Sequence, residues 1–246
     1  MVVVALEATV RMSDRSSQMG GARGNLLPLL KEELDCILDD EVHEVLNNRK
    51  GFVGLAYREL LPNNRPVLDT KFEDRDHVID SVCNSSTFPF FSSNWPCRFA
   101  RTRKSEEGSS WLPRIAVDGY FSVDRERFGC PDFDEMDHER DHYKVDRTVT
   151  LSVFPHDVIR LTASDDHDQI SPTLDPENSS EQISNLFRLA TKCAEREEYY
   201  KLYEDGWEDA EKWLKEEEEK SGYWGSKNSN QRRQIYAKML MQNDLN

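Results

Sequence analysis

From Asn25 onward apolar residues fall three and four apart: Leu26, Leu27, Leu29, Leu30, Leu34, Ile37 and Leu38. That spacing lays one apolar stripe along a helix. Phe52, Val53, Leu55, Ala56 and Tyr57 then read as a strand. LPNNRP, Leu61 to Pro66, reads as a turn from its Pro and Asn content, and Val67 to Phe72 alternates as a return strand. Asp74 to Cys83 regains the helical period, with Val78, Ile79 and Val82 on one face. RIAVDGYFSV, Arg114 to Val123, joins two short apolar runs through Asp-Gly, a strong hairpin signal because Gly takes positive φ at no cost. RTVTLSVF, Arg147 to Phe154, alternates as a strand. Ser179 is placed to cap a helix beginning at Glu181, with Gln182 three residues on. Ile183, Leu186, Phe187, Ala190 and Ala194 form its stripe. Tyr203, Trp207, Ala210, Trp213 and Leu214 continue it in a second helix after a break near Arg196.

The ends differ from this middle. Residues 11–24 are polar and Gly-rich, so 1–24 is expected to be a loop or a ragged N-terminal end. KEEEEK opens a polar stretch, and 218–246 is expected to be a mostly disordered tail. MVVVALEATVRM is a short apolar run broken by Glu7, without the basic region of a secretory signal. No run approaches the roughly 20 apolar residues of a transmembrane helix.

Charge narrows the partners. A formal charge of −15 repels phosphate backbones, which argues against nucleic acid. Anionic lipid is repelled too, unless a local patch does the docking. The cysteines number five, widely spaced and without a C-x-x-C pair, which suits a reducing compartment and excludes a disulfide framework or zinc ribbon. A cytoplasmic location is expected.

Four stretches invite a chemical reading. Residues 81–97, SVCNSSTFPFFSSNWPC, hold four aromatics and no charge, as a buried loop or the wall of an apolar pocket would. HERDH, His138 to His142, fits H-E-x-x-H, where two histidines one helical turn apart hold zinc. Its surroundings, DEMDHERDHYKVDR, offer little apolar surface to seat a helix, so it reads as a solvated acidic insertion. SDDHD, Ser164 to Asp168, lacks the regular oxygen spacing of a calcium loop. No metal and no cofactor is expected.

The fourth stretch is Val-Asp-Gly at 117–119, and its neighbours change what it implies. In order the chain offers NLLPLLKEELDCILDDEVHEVLNNRKGFVGL, FEDRDHVIDSVCNSSTFPFF, IAVDG, RTVTLSVF, and NLFRLA followed by LYEDGWEDAEKWL. This series, from about Leu26 to Leu214, resembles the patatin-like phospholipase family, in its adiponutrin and adipose triglyceride lipase branch. The resemblance implies a partial patatin-like three-layer α/β/α fold, with 25–217 as the C-terminal portion of a hydrolase domain. It implies an acyl-ester hydrolase acting on phospholipid or acylglycerol through a Ser-Asp dyad. Asp118 stands where that family carries its catalytic Asp, with Gly119 as its motif neighbour. Phe88, Pro89, Phe90 and Phe91 become candidates for the acyl-pocket wall.

Two departures accompany the resemblance. Tyr120 stands where the family has Gly or Ala, and no G-x-S-x-G nucleophile elbow occurs. The expected fold therefore lacks its N-terminal strands and elbow, and the chain is expected to supply the base but not the nucleophile. Alone it should be inactive and poorly soluble, with a missing N-terminal segment or a partner protein completing it. The alternative is a non-catalytic protein that binds a lipid surface or a partner lipase through 81–97.

Overall fold

The computed structural model describes residues 2–51, 53–102, 113–123, 148–152, 169–172, 174, 177–191 and 194–221. HERDH, SDDHD, most of RTVTLSVF and the tail beyond Ser221 lie outside them.

The chain is a mixed α/β protein. Helices α1 (Val2–Gln18), α2 (Leu26–Ile37) and α3 (Val42–Asn48) precede strands β1 (Leu55–Leu61) and β2 (Arg65–Asp69). Helix α4 (Arg75–Ser85) leads to β3 (Arg98–Phe99) and β4 (Ile115–Val117), and a 3-10 turn follows at Gly119–Phe121. Further on come β5 (Thr150–Leu151), β6 (Gln169–Ile170), α5 (Ser179–Thr191) and α6 (Arg196–Ser221).

Strands β2-β1-β4-β3 form one antiparallel sheet. The register sets Tyr57 against Val67, Glu59 against Ala116, and Phe99 against Ile115. Side chains alternate across a sheet, so Tyr57, Val67 and Ala116 share a face and form a buried cluster. Helix α4 covers that face. Its Ser81 donates to Asp69 of β2 at 2.6 Å, and the Asp80 carboxylate meets Arg98 of β3 at 2.9 Å. Asp74 caps α4 by accepting from the His77 N–H at 2.9 Å, a contact typically worth about 1 kcal/mol. The sheet is small and antiparallel, with α4 packed on this face. Phe99, on the opposite face, is 73% exposed.

Several elements depart from the pattern reading. Residues 2–18 are helical, not a loop. The buried side of α1 is built from Ala8, Val10, Ser13 and Ser16, so small polar residues hide it from a hydrophobic count. The Ser13 hydroxyl donates to the Ala194 carbonyl, and the Ser16 hydroxyl to that of Gly21. Each is thereby satisfied without water. Strand β1 starts at Leu55 and runs on through Arg58 and Glu59 to Leu61, beyond the apolar residues 52–57 that marked it in the sequence. Glu59 is buried because Arg114 arrives from the start of β4 and donates to it at 2.6 Å. Strand β2 correspondingly begins at Arg65 and stops at Asp69. Helix α5 starts at Ser179, two residues before the predicted start. The helix α6 continues to Ser221, into the stretch expected to be tail.

Candidate functional site

Asp118 ends β4. Its backbone has φ −44° and ψ 150°, extended rather than left-handed. An Asp-Gly hairpin of the expected kind needs positive φ at both central residues, so Val-Asp-Gly does not turn the chain into a second strand. Instead the Asp118 carboxylate accepts from the Tyr120 N–H at 2.9 Å and caps the 3-10 turn. Ser122 closes that turn, its hydroxyl donating to the Gly119 carbonyl at 2.6 Å.

Two tertiary contacts fix this corner. The Asp118 N–H donates to the Thr87 carbonyl at 2.9 Å, tying the end of β4 to the loop after α4. Thr87 is fully buried and held in turn by its own hydroxyl, which donates to the Cys83 carbonyl. Gly119 presses on β1. A Cβ there would lie 2.5 Å from the Ala56 carbonyl oxygen. Gly is needed here for close approach, not for positive φ.

The residues that flank this corner pack their rings together. Phe88 meets Tyr120 at 6.1 Å and Phe121 at 5.7 Å between centroids, and Tyr120 stands edge-on to Phe121 at 5.1 Å. Asp118 itself is half-buried. Burial pushes its carboxyl above the ordinary aspartate range, and the Tyr120 N–H opposes this in part. Desolvation of a charged group accounts for that balance. Among the described residues Oδ1 takes the Tyr120 N–H, and Oδ2 carries no protein hydrogen bond. A half-buried carboxylate with a spare oxygen and an elevated proton affinity is equipped to accept a proton from a hydroxyl placed against it.

The structure brings Asp118, Gly119 and Phe88 together. The rest of the predicted wall goes elsewhere. The Phe91 carbonyl accepts from the Gly24 N–H at 2.6 Å, and the Phe90 carbonyl from Arg23 Nε at 3.0 Å. These two residues lean on the loop before α2, and Phe90 is 56% exposed. Pro89, between Phe88 and Phe90, is half-buried. The sequence reading placed Phe121 among the apolar neighbours of Asp118, missed the Thr87 carbonyl, and treated Tyr120 only as an intrusion. A backbone carbonyl leaves no signal in the sequence. A surface hollow lined by Asn178, Glu181, Gln182, Ser184, Asn185 and Arg188 shares no residue with this site.

Among the described residues no group of three or more His, Cys, Asp or Glu is placed to hold a metal ion. No described helix is long and apolar enough to cross a membrane. No protein-family model, curated protein or solved structure matches the chain.

Proposed function

We propose that this chain carries the general base of a lipid acyl-ester hydrolase of the patatin-like type, with Asp118 as the base. One observation carries the reading: at the end of β4 stands a half-buried carboxylate with one oxygen that accepts no hydrogen bond among the described residues, in a corner where Phe88 packs on Phe121. A serine hydroxyl is a weak nucleophile until a neighbour takes its proton. In the proposed reaction Asp118 accepts that proton as the serine oxygen attacks the ester carbonyl. The proton passes to the leaving alcohol, and the same carboxylate then activates water against the acyl intermediate. No histidine is required if burial supplies the basicity. The nucleophile and oxyanion donors come from polypeptide other than a G-x-S-x-G in this chain, which has none. Phe88, Tyr120 and Phe121 give the acyl chain an apolar flank.

The test is hydrolysis of a p-nitrophenyl ester and of a phospholipid by the tagged protein expressed from its own gene. Asp118→Asn is expected to lower the rate by about 100-fold or more, the scale of general-base loss. A variant that keeps its activity, or a product of the gene without esterase activity or a fluorophosphonate-reactive serine, refutes the reading.

A further inference from the structure

Residues 88–95 form an aromatic lobe whose exposure is not incidental. Phe88, Phe90 and Trp95 are 41%, 56% and 72% exposed. They lie within 81–97, which has no charged residue in a chain of net charge −15. Adjacent exposed rings of this kind mark a contact surface.

The backbone is held in the shape that displays them. Phe90 has φ +58°, a left-handed conformation that a bulky residue rarely adopts. Such strain persists only where surrounding contacts enforce it. The Phe90 N–H donates to the Trp95 carbonyl at 3.2 Å, which closes the lobe on itself. The Leu27 N–H, otherwise unsatisfied at the start of α2, donates to the Ser92 carbonyl at 2.8 Å. The Phe88 N–H donates to Ser92 Oγ at 3.1 Å. Gly24, at φ +82°, lies so close to Asn94 that a Cβ would meet its side chain at 2.4 Å. The lobe is a pre-ordered projection seated on the 20–25 loop, so its rings need little ordering on binding.

Charge selects the occupant. We infer that the lobe docks the protein on a zwitterionic phospholipid surface. Phe and Trp rings partition into the headgroup zone of a bilayer. An anionic leaflet would repel the acidic remainder of the chain, whereas a neutral one would not. Exposed Arg23 stands at the base of the lobe, donating to Phe90, and places one cation where lipid phosphate would lie. Docking of this kind does not need Asp118 to act as a base.

The test is flotation with phosphatidylcholine vesicles, with and without phosphatidylserine, while following tryptophan emission. The wild-type protein is expected to float with neutral vesicles, with a blue-shifted emission, and to float less as phosphatidylserine is added. Phe90→Ser with Trp95→Ser should reduce partitioning at least about tenfold, given the apolar area withdrawn. Both positions are exposed, so melting should stay near that of the wild type. Phe90→Gly, which suits the backbone angle, serves as a second variant and should also weaken binding. Asp118→Asn should float like the wild type, which separates this inference from the hydrolase reading. Unchanged flotation of the lobe variants, tighter binding to anionic vesicles, or a wild-type protein that stays with the soluble fraction overturns it. A change in oligomeric state on removing the rings, without vesicle binding, would assign the lobe to protein contact and also overturn it.

Discussion

Gly119→Ala tests whether the strand-end carboxylate is held by close approach of β1. The added Cβ would stand 2.5 Å from the Ala56 carbonyl oxygen, 3.3 Å from its carbon and 3.4 Å from Ser85 Oγ. The two shortest contacts are backbone atoms, so no rotamer relieves them. Overpacking of this sort costs about 1–3 kcal/mol, and a rigid backbone obstacle belongs at the upper end. An opposing term exists, because replacing Gly lowers the entropy of the unfolded chain. That gain is about 0.4–1 kcal/mol and is available only where the backbone angles tolerate Ala. Gly119 has no positive φ, so the gain applies. The net is a loss of about 2 kcal/mol, or a melting temperature lower by about 4–8 °C for a domain of this size. Calorimetry at neutral pH measures it directly. A variant that melts at or above the wild-type temperature would show that Ala56 and Gly119 are not in contact. The account of how Asp118 is positioned would then fail.

Other outcomes follow from the same corner and from the sheet beneath it. Asp118 binds its proton more tightly in the native state than in the unfolded chain. Its stabilising contribution is therefore complete below about pH 3.9 and is lost as pH rises through the native value. Asp118→Asn is neutral at every pH and keeps an oxygen for the Tyr120 N–H. It should melt above the wild type at pH 7, with the difference closing towards pH 4; a lower melt at pH 7 contradicts the burial argument. Arg114→Met leaves Glu59, 1% exposed, without its shortest partner. It should cost about 3–5 kcal/mol in urea melts, and adding Glu59→Met should restore much of the loss. Phe90→Gly should be more stable than Phe90→Ala by about 1 kcal/mol, because the site's φ of +58° favours Gly. Equal stabilities would mean that the left-handed conformation is not populated.

Helices α2 and α4 and the first hairpin were legible because large apolar residues recur in them at regular spacing, although Glu33, His77, Ser81 and Asn84 are buried beside those residues. Leu29, Val67, Val78 and Ile79 are all buried. Where burial is carried by other residues the pattern misleads. Helix α1 hides Ser13 and Ser16, whose hydroxyls are satisfied by carbonyls of Ala194 and Gly21. Neither partner can be foreseen from the residues around them. Glu59 is the same problem with a charge: only a strand contact across the sheet reveals Arg114 as its partner. Alternation therefore reports which residues prefer burial, not which acquire a partner that makes burial tolerable.

Val-Asp-Gly shows the same limit at the candidate site. Local propensity gives this tripeptide a hairpin, and in isolation the left-handed backbone needed by that turn is reachable. Two remote groups decide otherwise. The Thr87 carbonyl takes the Asp118 N–H, and the Ala56 carbonyl occupies the space beside Gly119. With the backbone so fixed, the Asp118 side chain turns to the Tyr120 N–H and one oxygen stays unpaired among the described residues. A hairpin corner would have left that carboxylate solvated and ordinary in its proton affinity. Its place between β1 and the loop after α4 half-buries it, and that burial raises its proton affinity. The chemistry proposed for Asp118 is thus a property of the tertiary contacts that prevent the turn, and it should disappear with them. Gly119→Ala and Asp118→Asn probe the two halves of that dependence, the first through the backbone and the second through the charge.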